Sequence, residues 1–318
     1  MGAALMFLSV TIGLGEYPLS ATEVVHALLR RGDEFNQLVV VEWRLPIVCA
    51  ALLFGALLGI GGAIFQSLTH NALGSPDIIG FDAGAYTAVL LGILIFGIRD
   101  YWSLAALSIL GGLLVALAVY LLAISSDLQG FRMIIVGIAL GALLGATNTY
   151  LITRADTNQA ISVGFWAAGS LHRITWGNLI PVLCLALVIF IGCALLAPSL
   201  QQMELGDDSA IAHGVNLKRE RALLMILGVS TTAVVTAAAG PISFIALVAP
   251  QLARRLTRSP GVSLMSSACM GALLLGISHM VSVLLRPTTA PIPAGIITVC
   301  LGGMYFIFLL YKETRREL

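Results

Sequence analysis

From Ile174 to Met203, and again from Ala222 to Ala253, the chain runs 30 and 32 residues without an acidic or basic side chain. A helix that crosses a bilayer needs about 20 apolar residues, so stretches of this length belong in lipid. The rest of the chain shares the bias, being 58% hydrophobic and only 10% charged, whereas soluble domains carry about a quarter charged residues. A formal net charge of +1 excludes a bulk electrostatic partner such as nucleic acid. Cys49, Cys184, Cys193, Cys269 and Cys300 all fall in apolar windows without zinc or redox spacing, so buried, reduced side chains are expected.

Windows free of charge, apart from Asp82 at the start of one, predict about ten spans, at 1–14, 46–68, 82–98, 102–124, 133–152, 177–197, 222–239, 242–253, 262–285 and 292–311. The fold class that follows is an all-α polytopic membrane protein with a single transmembrane domain over residues 1–318. Met1 to Leu14 lacks a basic start and a cleavage site, so it reads as a first span and not a removed signal. Gly240-Pro241 interrupts the window 222–253, because proline removes a donor and fixes φ; two segments meeting at a bend are expected there. An even number of spans puts both termini on one side. Lys218, Arg219, Arg221, Arg254, Arg255 and Arg258 share that side with the C-terminus, and the positive-inside rule makes it cytoplasmic.

One polar island, PSLQQMELGDDSAIAHGVNLKRER at 198–221, separates the two longest windows. Gly206 followed by Asp207-Asp208 is a helix-start signal. The island reads as a short helix, a break and a second helix on the membrane surface, offering a rigid face to a soluble partner; an ordinary amphipathic loop is the competing reading. Outside, residues 15–45 end in Glu42-Trp43-Arg44-Leu45-Pro46, residues 153–176 suggest a short surface helix, and 286–293 holds three prolines. Arg44 and Arg286 are isolated external arginines at membrane boundaries, where snorkelling competes with pairing to a partner's carboxylate.

The chemistry of ion-coupled pumps is missing. No intramembrane carboxylate pair, arginine ladder or histidine relay is evident, and His279 reads as a polar helix contact. No catalytic or metal-ligating motif and no phosphate-binding loop occurs, so the chain cannot cradle ATP by that route. Asp77 and Asp82 flank Gly80 near the cytoplasmic edge and either cap the third span or gate it. Glycine-rich stretches such as 55–63, 137–146 and 271–276 predict close helix packing. A bundle of this kind fits transport powered by another subunit.

Four ordered stretches carry a resemblance: WRLP (43–46), GAIFQSLTHNALGSPDIIGFDAGA (62–85), ELGDDSAIAHGV (204–215) and AGPISFIALVAPQLARRL (239–256). They resemble the FecCD-type iron–siderophore permeases of type II ATP-binding-cassette importers, most closely the enterobactin-type branch. The resemblance implies a vitamin B12 permease-like fold of ten spans, with spans two to five related to seven to ten by an inverted repeat. It implies coupling to an ATPase through Leu205, Gly206, Asp207, Asp208, Ala210, Gly214 and Val215. An inner gate would lie at Gly80, Phe81, Asp82, Gly130 and Phe131, with Phe131 as an apolar plug, and a binding protein would dock at Arg44 and Arg286. The implied partners are a paralogous permease in a heterodimer, two cytoplasmic ATPases, and a periplasmic or lipid-anchored substrate-binding protein. ATP and Mg would sit on the ATPase, leaving no cofactor in this chain, and the cargo would be a ferric siderophore of catecholate type crossing the inner membrane. The family's usual arginine after WRLP is Ile47 here, and Ala72, His213 and Gln251 also depart from its pattern. Haem or cobalamin is the alternative cargo within the family. From other classes, an ion-coupled carrier would need midplane charges, and a membrane scaffold would not need the broken eighth segment.

Overall fold

The computed structural model describes residues 11–317, apart from 15–16, 99, 124–128, 157–162, 165, 260 and 286–291. Among the described residues the chain is helical and contains no strand. Two short helices come first, α1 (Ala21–Leu28) and α2 (Glu34–Gln37), and a π-helical stretch (Leu38–Arg44) leads into α3 (Leu45–Thr69). Then follow α4 (Phe81–Leu94), α5 (Tyr101–Ala123), α6 (Gln129–Arg154), α7 (Trp176–Glu204), α8 (Asp207–Ala212), α9 (Leu217–Ala239), α10 (Ile245–Thr257), α11 (Leu264–Leu285) and α12 (Ala294–Glu317). Every charge-free window from 46–68 onward coincides with one of these helices. The expected first span falls mostly on residues 1–10, outside the described residues; 11–13 are helical.

The core is organised on α3. Its residues from Leu57 to Ser67 are buried without exception, and it packs against α7, α9, α10 and α11. Lipid tails are as apolar as leucine, so helices in a bilayer associate through close packing and not through water exclusion. Gly55 and Gly271 supply that closeness: a Cβ on either would collide with the other's backbone carbonyl. This contact makes α3 and α11 the most intimate pair of the bundle.

Packing repeats between two halves. α4 lies on α5 and α6 as α10 lies on α11 and α12; α3 packs on α11 as α9 packs on α5; and α3 meets α9 between them. Corresponding helices are five crossings apart, so they run in opposite directions, and the relation is the expected inverted repeat. The expected bend at Gly240-Pro241 is present: α9 ends at Gly240 with φ +79°, and α10 restarts after Phe244.

Three expectations need correction. The island's second helix does not lie on the surface; Lys218–Arg221 form the first turns of the span α9. Within 153–176 helical residues are present at 163–164 and 166–167, but 166–174 is threaded between helix ends and does not lie along the outside. Ser170 N–H donates to the Ala239 carbonyl at 2.8 Å, Gly295 N–H donates to Gly169 at 2.9 Å, and Trp166 stacks on Tyr86. All five cysteines are free, but only Cys193 is buried, while Cys184, Cys269 and Cys300 face outward from the bundle.

Candidate functional site

α7 carries the chain to one face of the bundle, and Glu204 fixes where it stops. Its carboxylate accepts from Ser67 Oγ at the end of α3 and from the Val262 N–H before α11, the latter at 3.2 Å to each oxygen. His70 Nε2 adds a contact to the Met203 carbonyl at 3.3 Å. Three helix ends are therefore pinned at one point, and a cleft of about 570 Å³ lined by Gln66, His70, Gln201 and Arg254 opens beside it.

From this anchor α8 projects. Gly206 begins it at φ +113° and Gly214 follows it at φ +83°, conformations that L side chains rarely adopt, so the backbone itself favours glycine at both. Asp207 and Asp208 occupy the first turn, where carboxylates favour the positive end of the helix. Arg221 on α9 binds both oxygens of Asp207, at 2.6 and 2.8 Å. Asn216 Oδ1 accepts from the Arg219 N–H and caps α9. A pair this exposed contributes below about 1 kcal/mol to stability, so its effect is to fix the angle of α8 against α9.

The residues expected to couple divide by position. Leu205 is 72% exposed, and Asp208 and Gly214 are exposed. Ala210 is fully buried, which corrects the expectation that it meets a partner: it seats α8 on the chain's own body. Val215 is partly buried against the core. Ile211, 58% exposed, was not singled out from the sequence, although it is the one isoleucine in the polar island. Leu205 and Ile211 together give this face an apolar surface with carboxylates beside it.

At the expected inner gate, Gly80 begins α4 at φ +82°, and a Cβ there would press on Gly137 and Gly141 of α6. Phe81 is buried, its ring centroid 5.1 Å from that of Phe65, so it packs in the core of this chain. Asp82 is buried and accepts from Thr236 Oγ1 at 3.4 Å. Neither Asp77 nor Asp82 caps α4, whose start has no side-chain cap. Asp77 instead accepts from the Phe244 N–H. The two aspartates are thus turned toward the other half of the bundle, Asp77 half-buried at the Phe244 N–H and Asp82 buried beside Thr236 of α9. Gly130 and Phe131 are in the first turn of α6, and their side chains lie outside the described residues.

On the opposite face Arg44 turns inward, donating to the carbonyls of Ile12 at 2.7 Å and Tyr17 at 2.5 Å. That use ties the first described residues to the bundle. Trp176 Nε1 donates to the Val41 carbonyl, and the rings of Tyr17, Phe35 and Trp43 meet edge to face. A Ser20–Glu23 capping box starts α1, and hydrogen bonds from Ser20 hold the Glu23 carboxyl below its usual range. Residues 17–45 are therefore a folded cap that exposes Val25, Leu28 and Leu29. Arg286 lies outside the described residues.

α6 is the least enclosed long span. Ile135, Ile138, Leu143 and Tyr150 are exposed, and nothing stands within 4 Å of where a Gly145 Cβ would be. Thr147, Thr149 and Thr153 return their hydroxyls to carbonyls of the same helix, at 2.7 to 3.0 Å. Between Arg132 and Arg154 the exposed stripe carries no charged residue of its own, and the Arg154 guanidinium lies over the Tyr150 ring at its end.

Comparison with known proteins agrees with this geometry. Residues 3–312 match the model of the FecCD transport family. The ferric enterobactin transport system permease protein FepG of Escherichia coli (strain K12) is 43% identical over 304 residues, 95% of this chain and 91% of that one. The Fe(3+)-citrate import system permease protein YfmE of Bacillus subtilis (strain 168) is 34% identical over 100% of this chain and 95% of its own. A solved metal-chelate type ABC transporter in an inward-facing conformation superposes with a TM-score of 0.83 at 29% identity, covering 97% of this chain and 96% of that one.

Proposed function

We propose, from the premise that the chain belongs to the FecCD transport family, that its cargo is a ferric siderophore of the catecholate class, enterobactin or a close analogue. The chain is a multi-pass permease subunit of an ATP-binding-cassette importer. Similarity over nearly the whole length to a permease named for ferric enterobactin supports the cargo.

The observation that carries the mechanism is α8. A six-residue helix bounded by two left-handed glycines, clamped by Asp207–Arg221 and presenting Leu205 and Ile211, is a rigid lever attached to three helix ends. Its face is cytoplasmic in this reading, and a soluble ATPase grips it through Leu205, Gly206, Asp208, Ile211 and Gly214. Two copies of the ATPase hydrolyse ATP with Mg on their own residues, and this chain supplies the lever and the pathway. The pathway runs along the exposed stripe of α6, closed on its other side by a paralogous permease. A stripe without charges lets a large chelate pass without being held. A periplasmic or lipid-anchored binding protein delivers the cargo to the outer cap, residues 17–45. Arg44 acts there by holding the cap in shape, and Arg286 is kept as a docking arginine.

Uptake of radiolabelled ferric enterobactin by a deletion strain carrying this chain and its partner subunits tests the reading. Restored uptake is expected, abolished by replacing Leu205 and Ile211 together with aspartate. Uptake of haem or cobalamin in place of the catecholate would move the cargo elsewhere in the family.

A further inference from the structure

Both halves of the bundle stop a long helix and restart it as a short one. α3 is followed by the turn 70–80 and then α4, and α9 by residues 240–244 and then α10. Each restart follows a residue in the left-handed region, Gly80 at φ +82° in the first half and Phe244 at φ +71° in the second. Glycine adopts this conformation freely, whereas for phenylalanine it is strained and persists only where the surroundings over-determine it.

Those surroundings are supplied by the other half. Asp77 Oδ2 accepts the Phe244 N–H at 3.0 Å across 167 residues of sequence. Gln66 Nε2 donates to the Leu247 carbonyl at 2.9 Å, and Gln251 Nε2 donates to the Ala72 carbonyl at 2.7 Å. Gly62 of α3 lies so close to Ala246 that a Cβ would overlap its backbone. On its far side, the Phe244 ring covers Gly302 of α12. A chain of contact thus runs from the first break, through the strained residue of the second, to the last span.

Asp77 is a poor choice for stability alone. Its Oδ1 is buried and has no hydrogen-bond partner among the described residues, and a carboxylate in such a place carries a desolvation cost that an amide making the same single bond would avoid. We infer that Asp77 is a positioning residue for transport: by holding Phe244 in its left-handed turn it seats the ring on α12 and makes the two helix breaks move as one unit. It touches no cargo. Its influence reaches the pathway through the backbone of Phe244 and the packing on Gly302.

The inference rests on the importer reading only for its transport readout, so two measurements are made on the assembled complex in lipid nanodiscs and proteoliposomes. Amide hydrogen exchange at residues 244–248 should quicken roughly 10- to 100-fold in Asp77→Ala, the effect of losing a hydrogen bond to a charged group. It should quicken less in Asp77→Asn, which keeps an acceptor oxygen without the charge. Uptake of ferric enterobactin per ATP hydrolysed should fall in Asp77→Ala and hold in Asp77→Asn. If Asp77→Ala does not assemble, Asp77→Glu against Asp77→Asn decides. The longer carboxylate displaces the acceptor and should lower the ratio, and the amide should not. Equal exchange in all variants removes the latch. Faster exchange with an unchanged ratio of uptake to ATP hydrolysis removes its role in transport. A wild type that imports no ferric enterobactin refutes the cargo and leaves the exchange result to judge the latch.

Discussion

Arg221 grips both carboxylate oxygens of Asp207, so the first residue of α8 is bolted to the first turns of α9. Arginine's planar fork fixes direction as well as distance, which a lysine at the same place would not do. Breaking the pair should leave the fold intact, with the thermal midpoint shifted by no more than about 4 °C. ATP-driven uptake should nevertheless fall in Arg221→Ala and in Asp207→Ala. The exchanged pair Asp207→Arg with Arg221→Asp should recover it in part. Unchanged uptake in both single variants would mean that α8 needs no bolt.

Gly214 separates two reasons for being glycine. Its φ of +83° excludes a β-branched residue whatever lies nearby, yet nothing stands within 4 Å of the place its Cβ would take. Asparagine tolerates the left-handed conformation, so Gly214→Asn should fold and assemble with the other permease as the wild type does. Loss of ATPase stimulation in this variant is the expected sign of a partner lying against the bare backbone. Full stimulation would mean that the turn alone required glycine.

Much of this element was legible in the sequence and some was not, for identifiable reasons. Charge against an apolar background marks residues 198–221, and the glycines mark the turns, because both signals are local. The inward face of Ala210 was not readable, since six residues of helix fix no phase. Glu204 stood in plain view, but its partners are Ser67 and the Val262 N–H, 137 and 58 residues away, and no pattern along the chain connects them. Asp77 was read as a cap or a gate, the cap because aspartate before a helix usually is one; its hydrogen-bond partner is a backbone N–H in the other half of the repeat. Arg44 was read as facing a partner because its two carbonyl acceptors belong to Ile12 and Tyr17, which offer no side-chain signal. The spans themselves, including the break at Gly240-Pro241, followed from composition and proline chemistry.

Glu204 makes a prediction that separates anchoring from charge. Replacing it by alanine leaves the Val262 N–H and Ser67 without their acceptor and should cost about 1–3 kcal/mol. Glu204→Gln retains an acceptor oxygen and should cost less. Limited proteolysis of the α7–α8 connection in the purified complex reads the difference: faster cutting in the alanine variant, slower in the glutamine variant. Equal rates would show that α3 and α11 do not hold this end.

Two glycines on different helices should respond oppositely to the same change. Gly271→Val places atoms where the Gly55 carbonyl stands, overpacking that costs about 1–3 kcal/mol or more, and should reduce the amount of folded protein. Gly145→Val on the open stripe of α6 meets nothing within this chain and should leave its folding unchanged while lowering uptake or association with the second permease. Gel filtration of the chain alone and of the assembled complex distinguishes the two outcomes.

The central claim is that this chain forms the membrane pathway of an ATP-driven ferric siderophore importer. Its most direct test is uptake of radiolabelled ferric enterobactin into proteoliposomes holding this chain, the proposed partner permease, the ATPase and the binding protein. Expected is uptake that requires ATP and the binding protein, persists when a protonophore dissipates the proton gradient, and is lost in the Leu205→Asp, Ile211→Asp double variant. Uptake driven by an ion gradient without the ATPase, or ATP-driven uptake indifferent to that double change, would contradict it.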